Sequence, residues 1–293
     1  MGSWAHVIVV GGPPGAGALA RARIEQLEAR WSRFRPGSEV SRLNGRAGRP
    51  TVVSADTATL VSRALAGWRG TAGRFDPTVL GPVIDAGYDR PFEEITGDTS
   101  TPSRSGLSTG ALAVAVDERV GTVYLPPGVG FDPGGIGKGL AADLVVAELL
   151  AAGATGACVN LGGDLRAEGD GPWTVDVADP FDQTRPPVAR LAFDAGGVAT
   201  SSRLRRAWGP AGSGRHHLID PDSGRPADTA VAAVAAVTVL TGDAWRAEVL
   251  AKAAILAAVD EALDVLGAAR ATGLVFDGAG EIHLAADLGP FLA

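Results

Sequence analysis

A glycine-rich segment with a single lysine contains the residue types in this sequence that best suit chemistry on a ligand. Residues 131–139 read Phe-Asp-Pro-Gly-Gly-Ile-Gly-Lys-Gly and lead into an alanine-rich stretch. A second glycine-containing segment, Asn-Leu-Gly-Gly-Asp, comes after that stretch at residues 160–164. Glycine permits tight turns and a close approach of backbone to ligand. A helix N-terminus with a cation beside it is a site for phosphate. We therefore predict that the phosphate or pyrophosphate group of a nucleotide binds around Lys138.

Two adjacent histidines, His216 and His217, form a second candidate. Neighbouring side chains of a strand point to opposite faces, so one of the two can face a site. A histidine beside a bound phosphate can act as an acid or a base. This spacing does not suit a metal-binding pair.

A dinucleotide fingerprint is an alternative from another class. Residues 15–20 fit G-x-G-x-x-A, follow an apolar run and open a helical pattern. A Rossmann oxidoreductase would next need a second parallel strand that ends in an acidic residue. Residues 30–38 are instead charged and loop-like, which favours a plain strand-to-helix turn.

Hydrophobic periodicity predicts the elements that must position these residues. Helices are predicted at 16–30, 56–69, 136–152 and 244–258, and a surface loop at 96–110. Strands are predicted at 7–10, 114–117, 120–125, 157–161, 173–177, 232–240, 272–276 and 281–284. Strands and helices alternate without regular βαβ spacing, so we predict an α+β domain with a mixed or antiparallel sheet.

Composition narrows the function classes. The 293 residues are 46% hydrophobic and carry a net charge of −7, which argues against nucleic acid as the main partner. The single cysteine, Cys158, excludes an intrachain disulfide and a multi-cysteine metal site. No apolar run is long enough to predict a membrane span. No leader is recognised at the start, so we expect a cytoplasmic protein or one whose leader has been removed.

Six motifs, in order from about residue 30 to 260, together resemble the ApbE family of FAD:protein FMN transferases. They are residues 33–44, 75–79, 132–139 with Asp143, 159–165, 199–201 and 217–226. The resemblance implies a single α+β flavin transferase domain over residues 1–293, with FAD bound between its two lobes. It also implies an enzyme that cleaves FAD and attaches FMN through a phosphoester to a Thr or Ser of a target protein.

The resemblance also implies roles for individual residues. His217 would be the base, Asp220 would orient it, and Lys138 would stabilise charge. The residues implied to border or bind FAD are Ser41, Leu43, Asn44, Phe75, Asp76, Pro77, Asp132, Gly134, Gly135, Ile136, Lys138, Gly139, Asp143, Asn160, Gly162, Gly163, Asp164, Thr200, Ser201 and His217.

The sequence departs from the family at the implied metal site. The family pattern A-D-A-L-A-T-A uses its Asp and Thr to bind Mg²⁺, which neutralises the diphosphate. Residues 247–253 place Glu248 and Lys252 at those positions, while Gly137 matches the backbone ligand. An ammonium repels a cation by about 4 kcal/mol per pair of unit charges at 4 Å and an effective dielectric of 20, so Lys252 argues against Mg²⁺ there. Lys252 would instead pair with Glu248. The alternatives are therefore an FAD-binding homologue without catalysis and an FAD pyrophosphatase that releases FMN and AMP.

Overall fold

The computed structural model describes residues 3–95, 106–204, 207–208, 215–227, 234–285 and 287–293. The α-helices in this part of the chain are α1 (Ala16–Trp31), α2 (Glu39–Asn44), α3 (Ala55–Gly70), α4 (Leu80–Asp85), α5 (Gly137–Ala151), α6 (Ala244–Ile255) and α7 (Val259–Ala268). The strands are β1 (Ala5–Gly11), β2 (Thr51–Val52), β3 (Ala115–Asp117), β4 (Thr122–Tyr124), β5 (Ala154–Leu161), β6 (Asp164–Gly169), β7 (Trp173–Val177), β8 (Ala189–Phe193), β9 (Gly196–Ser202), β10 (Ala207–Trp208), β11 (Arg215–His216), β12 (Ile219–Asp220), β13 (Arg225–Pro226), β14 (Val234–Thr241), β15 (Thr272–Asp277) and β16 (Ile282–Leu284).

Backbone contacts divide the chain into two compact units. The small-sheet unit contains Gln26–Gly137 and the described part of Arg205–Thr229. The large-sheet unit contains Ser3–Glu25, Lys138–Leu204 and the described part of Ala230–Ala293.

The large-sheet unit is built on seven strands in the order β1-β5-β6-β9-β14-β15-β16, and every neighbouring pair is antiparallel. Strand β14 is buried along Val234–Leu240 on both faces, so its sequence is apolar apart from Thr238 and does not alternate between apolar and polar residues. Helix α6 packs on β9 and β14. This packing fixes the face of α6 that carries Glu248.

The small-sheet unit combines helices α2, α3 and α4 with the three-stranded sheet β2-β4-β3. Ser38 caps α2 by accepting a hydrogen bond from the Ser41 N–H at 2.9 Å, as a helix N-terminus requires. Val40 and Leu43 face the core of the unit. The position of Asn44, at the end of this helix, is therefore fixed.

The α+β class is confirmed, and the sheet pairs are antiparallel. The dinucleotide fingerprint is wrong, because β1 is an edge strand that runs antiparallel to β5, whereas a Rossmann unit needs parallel strands. The predicted helix 244–258 ends at Ile255, and α7 was missed. Residues 96–105 of the predicted loop and 232–233 of the predicted strand lie outside the described residues. Within the described chain, no helix combines the length and hydrophobicity that crossing a membrane requires.

Candidate functional site

The N-termini of two helices in the large-sheet unit are held by each other's carboxylates. Asp143 of α5 accepts hydrogen bonds from the N–H groups of Ala244 and Trp245, which begin α6, at 2.8 and 2.9 Å. Glu248 of α6 accepts one from the N–H of Gly139, in the first turn of α5, at 2.8 Å. First-turn N–H groups lack partners within their own helix and carry partial positive charge. The exchange therefore satisfies both helix ends.

Close backbone packing accompanies this exchange. A Cβ on Gly139 would lie 2.4 Å from the carbonyl oxygen of Ala244, which is closer than real Cβ contacts. Position 139 therefore needs glycine because two helix ends meet there. The resemblance implied that Gly139 and Asp143 contact FAD, and the structure gives both of them contacts with α6.

The Asp143 carboxyl is disfavoured in its ionised form, although it accepts hydrogen bonds from two backbone N–H groups. Burial raises the pKa of its carboxyl from 3.8 to about 6, and the two backbone N–H groups and Arg166 oppose that shift. Arg166 Nε lies 3.8 Å from Asp143 Oδ1. The ionised form is therefore costly in the folded protein.

Lys138 places its ammonium between two buried carboxylates. It forms an ion pair with Asp164 at the start of β6, and its Nζ lies 3.6 Å from Oε1 of Glu248. Asp164 and Glu248 are each 2% exposed. Glu248 Oε1 has no hydrogen-bond partner among the described residues, so the ammonium is the charge that it faces. Buried carboxylates are costly unless paired, and Lys138 is an ion-pair partner of Glu248.

The segment 160–164 forms the two-residue hairpin turn between β5 and β6. Leu161 pairs with Asp164 across the turn, and Gly162 and Gly163 have φ angles of +64° and +104°. Positive φ at both central positions is the requirement of a type I′ turn. Asn160 Oδ1 accepts the Gly163 N–H at 2.9 Å. This turn sets the start of β6 and thereby positions Asp164 beside Lys138.

Thr200 and Ser201 lie on β9. Thr200 pairs with Thr238 across the ladder to β14, and the two hydroxyl oxygens are 2.9 Å apart. Ser201 is buried. Thr200 and Ser201 thus pair with Thr238 and Val237 across the sheet.

In the small-sheet unit, three motifs meet at the residues that precede the glycine loop. Asn44 donates to the carbonyl of Phe131 at 2.9 Å and accepts its N–H at 2.7 Å. The Asp132 N–H donates to the carbonyl of Pro77 at 2.7 Å. The side-chain amide of Asn44 is thus used on the backbone, and its role is to hold the loop.

Asp132 and Arg33 continue this support. Asp132 Oδ1 accepts the Gly134 N–H at 2.9 Å, and Arg33 Nε lies 3.6 Å from the same oxygen. The Arg33 guanidinium stacks over Phe34 and Tyr88, 4.1 and 4.6 Å from the ring centroids. Arg33 begins the motif over residues 33–44, but the sequence alone assigns it no role. An arginine directly before an aromatic residue was the available signal.

The other predicted residues of this unit have local structural contacts. Leu43, Phe75 and Ile136 are core residues, and Pro77 is buried, while Gly135 lies on the loop into α5 and Gly137 is the first residue of that helix. Ser41 Oγ donates to the carbonyl of Arg33 at 3.3 Å. Asp76 accepts both the N–H and the hydroxyl of Thr78. Burial raises the pKa of Asp76, although those Thr78 bonds oppose it.

The two histidines have different environments. His216 is buried, its Nδ1 accepts the Leu218 N–H at 3.2 Å, and its Nε2 lies 3.0 Å from the carbonyl of Ala227. His217 is half-buried. Asp220 accepts from the Asp222 N–H and the Ser223 hydroxyl, at 3.1 and 2.7 Å, in its own turn.

The backbone bonds fix the ring of His216. Both of these Asp220 hydrogen bonds lie within its own turn.

The residues at the implied magnesium site do not fit a divalent cation. Of the two Glu248 oxygens, Oε2 accepts the Gly139 N–H and Oε1 faces the ammonium of Lys138. Lys252 stands one helical turn further along, where the family pattern has a neutral ligand. A hard cation needs several oxygen ligands, and this position offers cations instead.

The α+β fold of this chain matches solved structures of flavin transferases. A crystal structure of the ApbE protein of Thermotoga maritima matches 99% of this chain and 96% of its own, with a TM-score of 0.85 and 26% identity. The flavin transferase ApbE of Vibrio cholerae matches 100% of this chain and 96% of its own, with a TM-score of 0.82 and 26% identity.

Sequence comparison agrees with the structural likeness. The chain is 30% identical over 237 residues to a FAD:protein FMN transferase of Klebsiella pneumoniae, which covers 78% of this chain and 73% of the relative. The ApbE family pattern matches residues 1–276. The chain belongs to the ApbE family.

Substitution of Gly139 by alanine should destabilise the protein, because the new Cβ meets the Ala244 backbone. We expect Gly139→Ala to lower the free energy of unfolding by about 1–3 kcal/mol, measured by urea denaturation. Gly17→Ala is the matched control, since a Cβ on this helical glycine meets nothing within 4 Å. The control should be neutral or gain up to about 1 kcal/mol. Equal effects of the two substitutions would contradict the packing argument.

The Asp143 carboxyl should make stability depend on pH. The pKa of Asp143 is about 6 in the folded protein and 3.8 as its ordinary value. The protonated carboxyl therefore contributes its full share to the free energy of unfolding below about pH 4, and this share is lost as the pH rises through 6. Asp143→Asn keeps an acceptor but does not titrate. The unfolding free energy of the parent relative to this variant should fall by up to about 3 kcal/mol over that range. A relative stability that stays constant or increases with pH would refute the assignment.

Proposed function

We propose that this chain is a FAD:protein FMN transferase, which moves FMN from FAD to a Thr or Ser hydroxyl of a target flavoprotein. The observation that carries the proposal is the match of residues 1–276 to the ApbE family. Relatives of this chain bear the name FAD:protein FMN transferase. The acceptor protein is a partner that the transfer reaction requires.

The glycine loop and the first turn of α5 are the proposed support of the FAD diphosphate. Asn44, Arg33 and the Pro77 carbonyl hold residues 131–134 in place, so the loop is organised before a ligand arrives. An ammonium has three donors, and Lys138 can contact a phosphate oxygen while it retains its carboxylate partners. Preorganised donors of this kind stabilise charge that develops during reaction.

The transfer step exchanges one P–O bond for another. The acceptor hydroxyl oxygen attacks the phosphorus of the FMN half of FAD, and the bond from that phosphorus to the bridging oxygen breaks. AMP leaves, FMN remains on the acceptor as a phosphoester, and the hydroxyl proton passes to a base. We propose His217 as that base, because the backbone bonds of His216 fix the segment from which His217 projects.

Glu248 and Lys252 are the specific observation that favours two other outcomes on the same fold. A site without the family's neutral metal ligand would suit an FAD pyrophosphatase that uses water as the acceptor. It would equally suit a protein that binds FAD without cleaving it. Both alternatives share the FAD site and differ from the transferase only in the fate of the FMN group.

Product analysis separates the three functions. The protein is incubated with FAD and an acceptor flavoprotein, with Mg²⁺ or with EDTA, and the products are resolved by chromatography and mass spectrometry. We expect AMP and an acceptor heavier by one FMN group, and no modification of an acceptor whose target Thr is replaced by Val. Free FMN with AMP would indicate the hydrolase, and intact bound FAD would indicate the binder.

Replacement of His217 should slow transfer more than it weakens binding. A general base contributes about 10²-fold or more to rate, so His217→Ala should lose at least that factor while its FAD affinity changes little. Rates of AMP release and fluorescence titration with FAD measure the two effects. His6→Ala, at an exposed position of β1, is the control and should retain the parent rate. Near-parent turnover of His217→Ala would remove this residue from the mechanism.

A further inference from the structure

Lysine is rare in this chain, and both lysines lie in the helices that cap each other. Of the 26 Lys and Arg residues, only Lys138 and Lys252 are lysine. Lys138 stands beside Gly139 in the first turn of α5, and Lys252 follows Glu248 by four residues on α6, a spacing that shares one helix face. A lysine ammonium is a compact point charge, whereas arginine presents a planar fork. A chain that uses arginine everywhere else thus uses ammonium groups here.

The carboxylates around Lys138 have the character of ligands for a hard cation. Asp164 and Glu248 are buried, and carboxylate oxygens are the ligands that Mg²⁺ and Mn²⁺ prefer. Glu248 Oε1 accepts no hydrogen bond from the described residues and faces Lys138 Nζ at 3.6 Å. The charge that both carboxylates require is already supplied from within the protein.

We propose that the Lys138 ammonium is a built-in cation, which occupies the position where Asp164 and Glu248 would otherwise attract a divalent metal ion. A metal ion that approaches Glu248 Oε1 meets the ammonium first and is repelled by it. The chain accordingly binds FAD without Mg²⁺. Only this last statement rests on the proposed function, because cation binding is measured without FAD.

The unmodified protein gives the first test. Mn²⁺ is titrated by electron paramagnetic resonance and Mg²⁺ by calorimetry, in parallel with Glu248→Gln. We expect no saturable binding that depends on Glu248, and FAD affinities in Mg²⁺ and in EDTA that agree within about twofold. A saturable site in the parent that Glu248→Gln abolishes would overturn the proposal, as would FAD binding that requires Mg²⁺. FAD binding under neither condition would refute the proposed function, while the cation titrations would still decide the inference.

Removal of the ammonium gives the second test. Lys138→Met keeps an unbranched side chain but leaves the two carboxylates without their cation. This variant should bind Mn²⁺ at least tenfold more tightly than the parent, and Lys138→Met with Glu248→Gln should lose the gain. Lys252→Met is the matched control at the other lysine and should bind Mn²⁺ no better than the parent, because it retains Lys138. The proposal would be overturned if a folded Lys138→Met protein bound Mn²⁺ no more tightly than the parent, or if only Lys252→Met bound it more tightly. If Lys138→Met does not fold, the metal titrations of the parent decide the question.

Discussion

The start of α6 is the point on which the candidate site of the large-sheet unit depends. Its first two N–H groups donate hydrogen bonds to Asp143. Its backbone at Ala244 packs so closely against α5 and β9 that the contacting positions 139 and 197 require glycine. A Cβ on Gly139 would lie 2.4 Å from the Ala244 carbonyl oxygen, and a Cβ on Gly197 of β9 would lie 2.2 Å from the Ala244 nitrogen. Gly197 on a strand and Gly139 on a helix therefore both make room for the backbone of Ala244. Because α6 is fixed at its first residue, Glu248 one turn later has a defined position.

Glu248 performs two tasks from that position. One oxygen caps α5 through Gly139, and the other faces Lys138. The family pattern has the shorter Asp here, and the additional methylene of Glu extends the carboxylate from α6. The burial of this side chain is tolerated because each oxygen faces a positive group, either a helix N-terminus or an ammonium. Stability of the helix pair and the electrostatics of the site therefore depend on the same carboxylate.

The sequence was sufficient for the elements with strong periodicity and for the family, but not for the partner of each polar side chain. The bonds of Asp143 and Glu248 span 101 and 109 residues of the chain, and no local pattern encodes such pairs. The resemblance assigns Asn44 and Asp143 to FAD, and the structure adds backbone partners that the sequence does not reveal. Helix α7 was not predicted, and the reason is local. The link between α6 and α7, Leu-Ala-Ala at residues 256–258, includes neither Gly nor Pro, so the apolar pattern shows no break there.

Most glycines of the segments 131–139 and 160–164 have a structural role in the fold. Gly162 and Gly163 supply the positive φ angles of a hairpin turn, Gly134 bonds to Asp132, and Gly139 admits the end of another helix. Each requirement would exist without any ligand. What remains specific to chemistry is the charge beside these glycines, namely Lys138 with its two buried carboxylates. The departure from the family pattern at Glu248 falls on this charged cluster, and the departure at Lys252 lies one helical turn further along α6. Both leave the glycine framework intact, so the fold is retained while charged residues near the site differ from the family pattern.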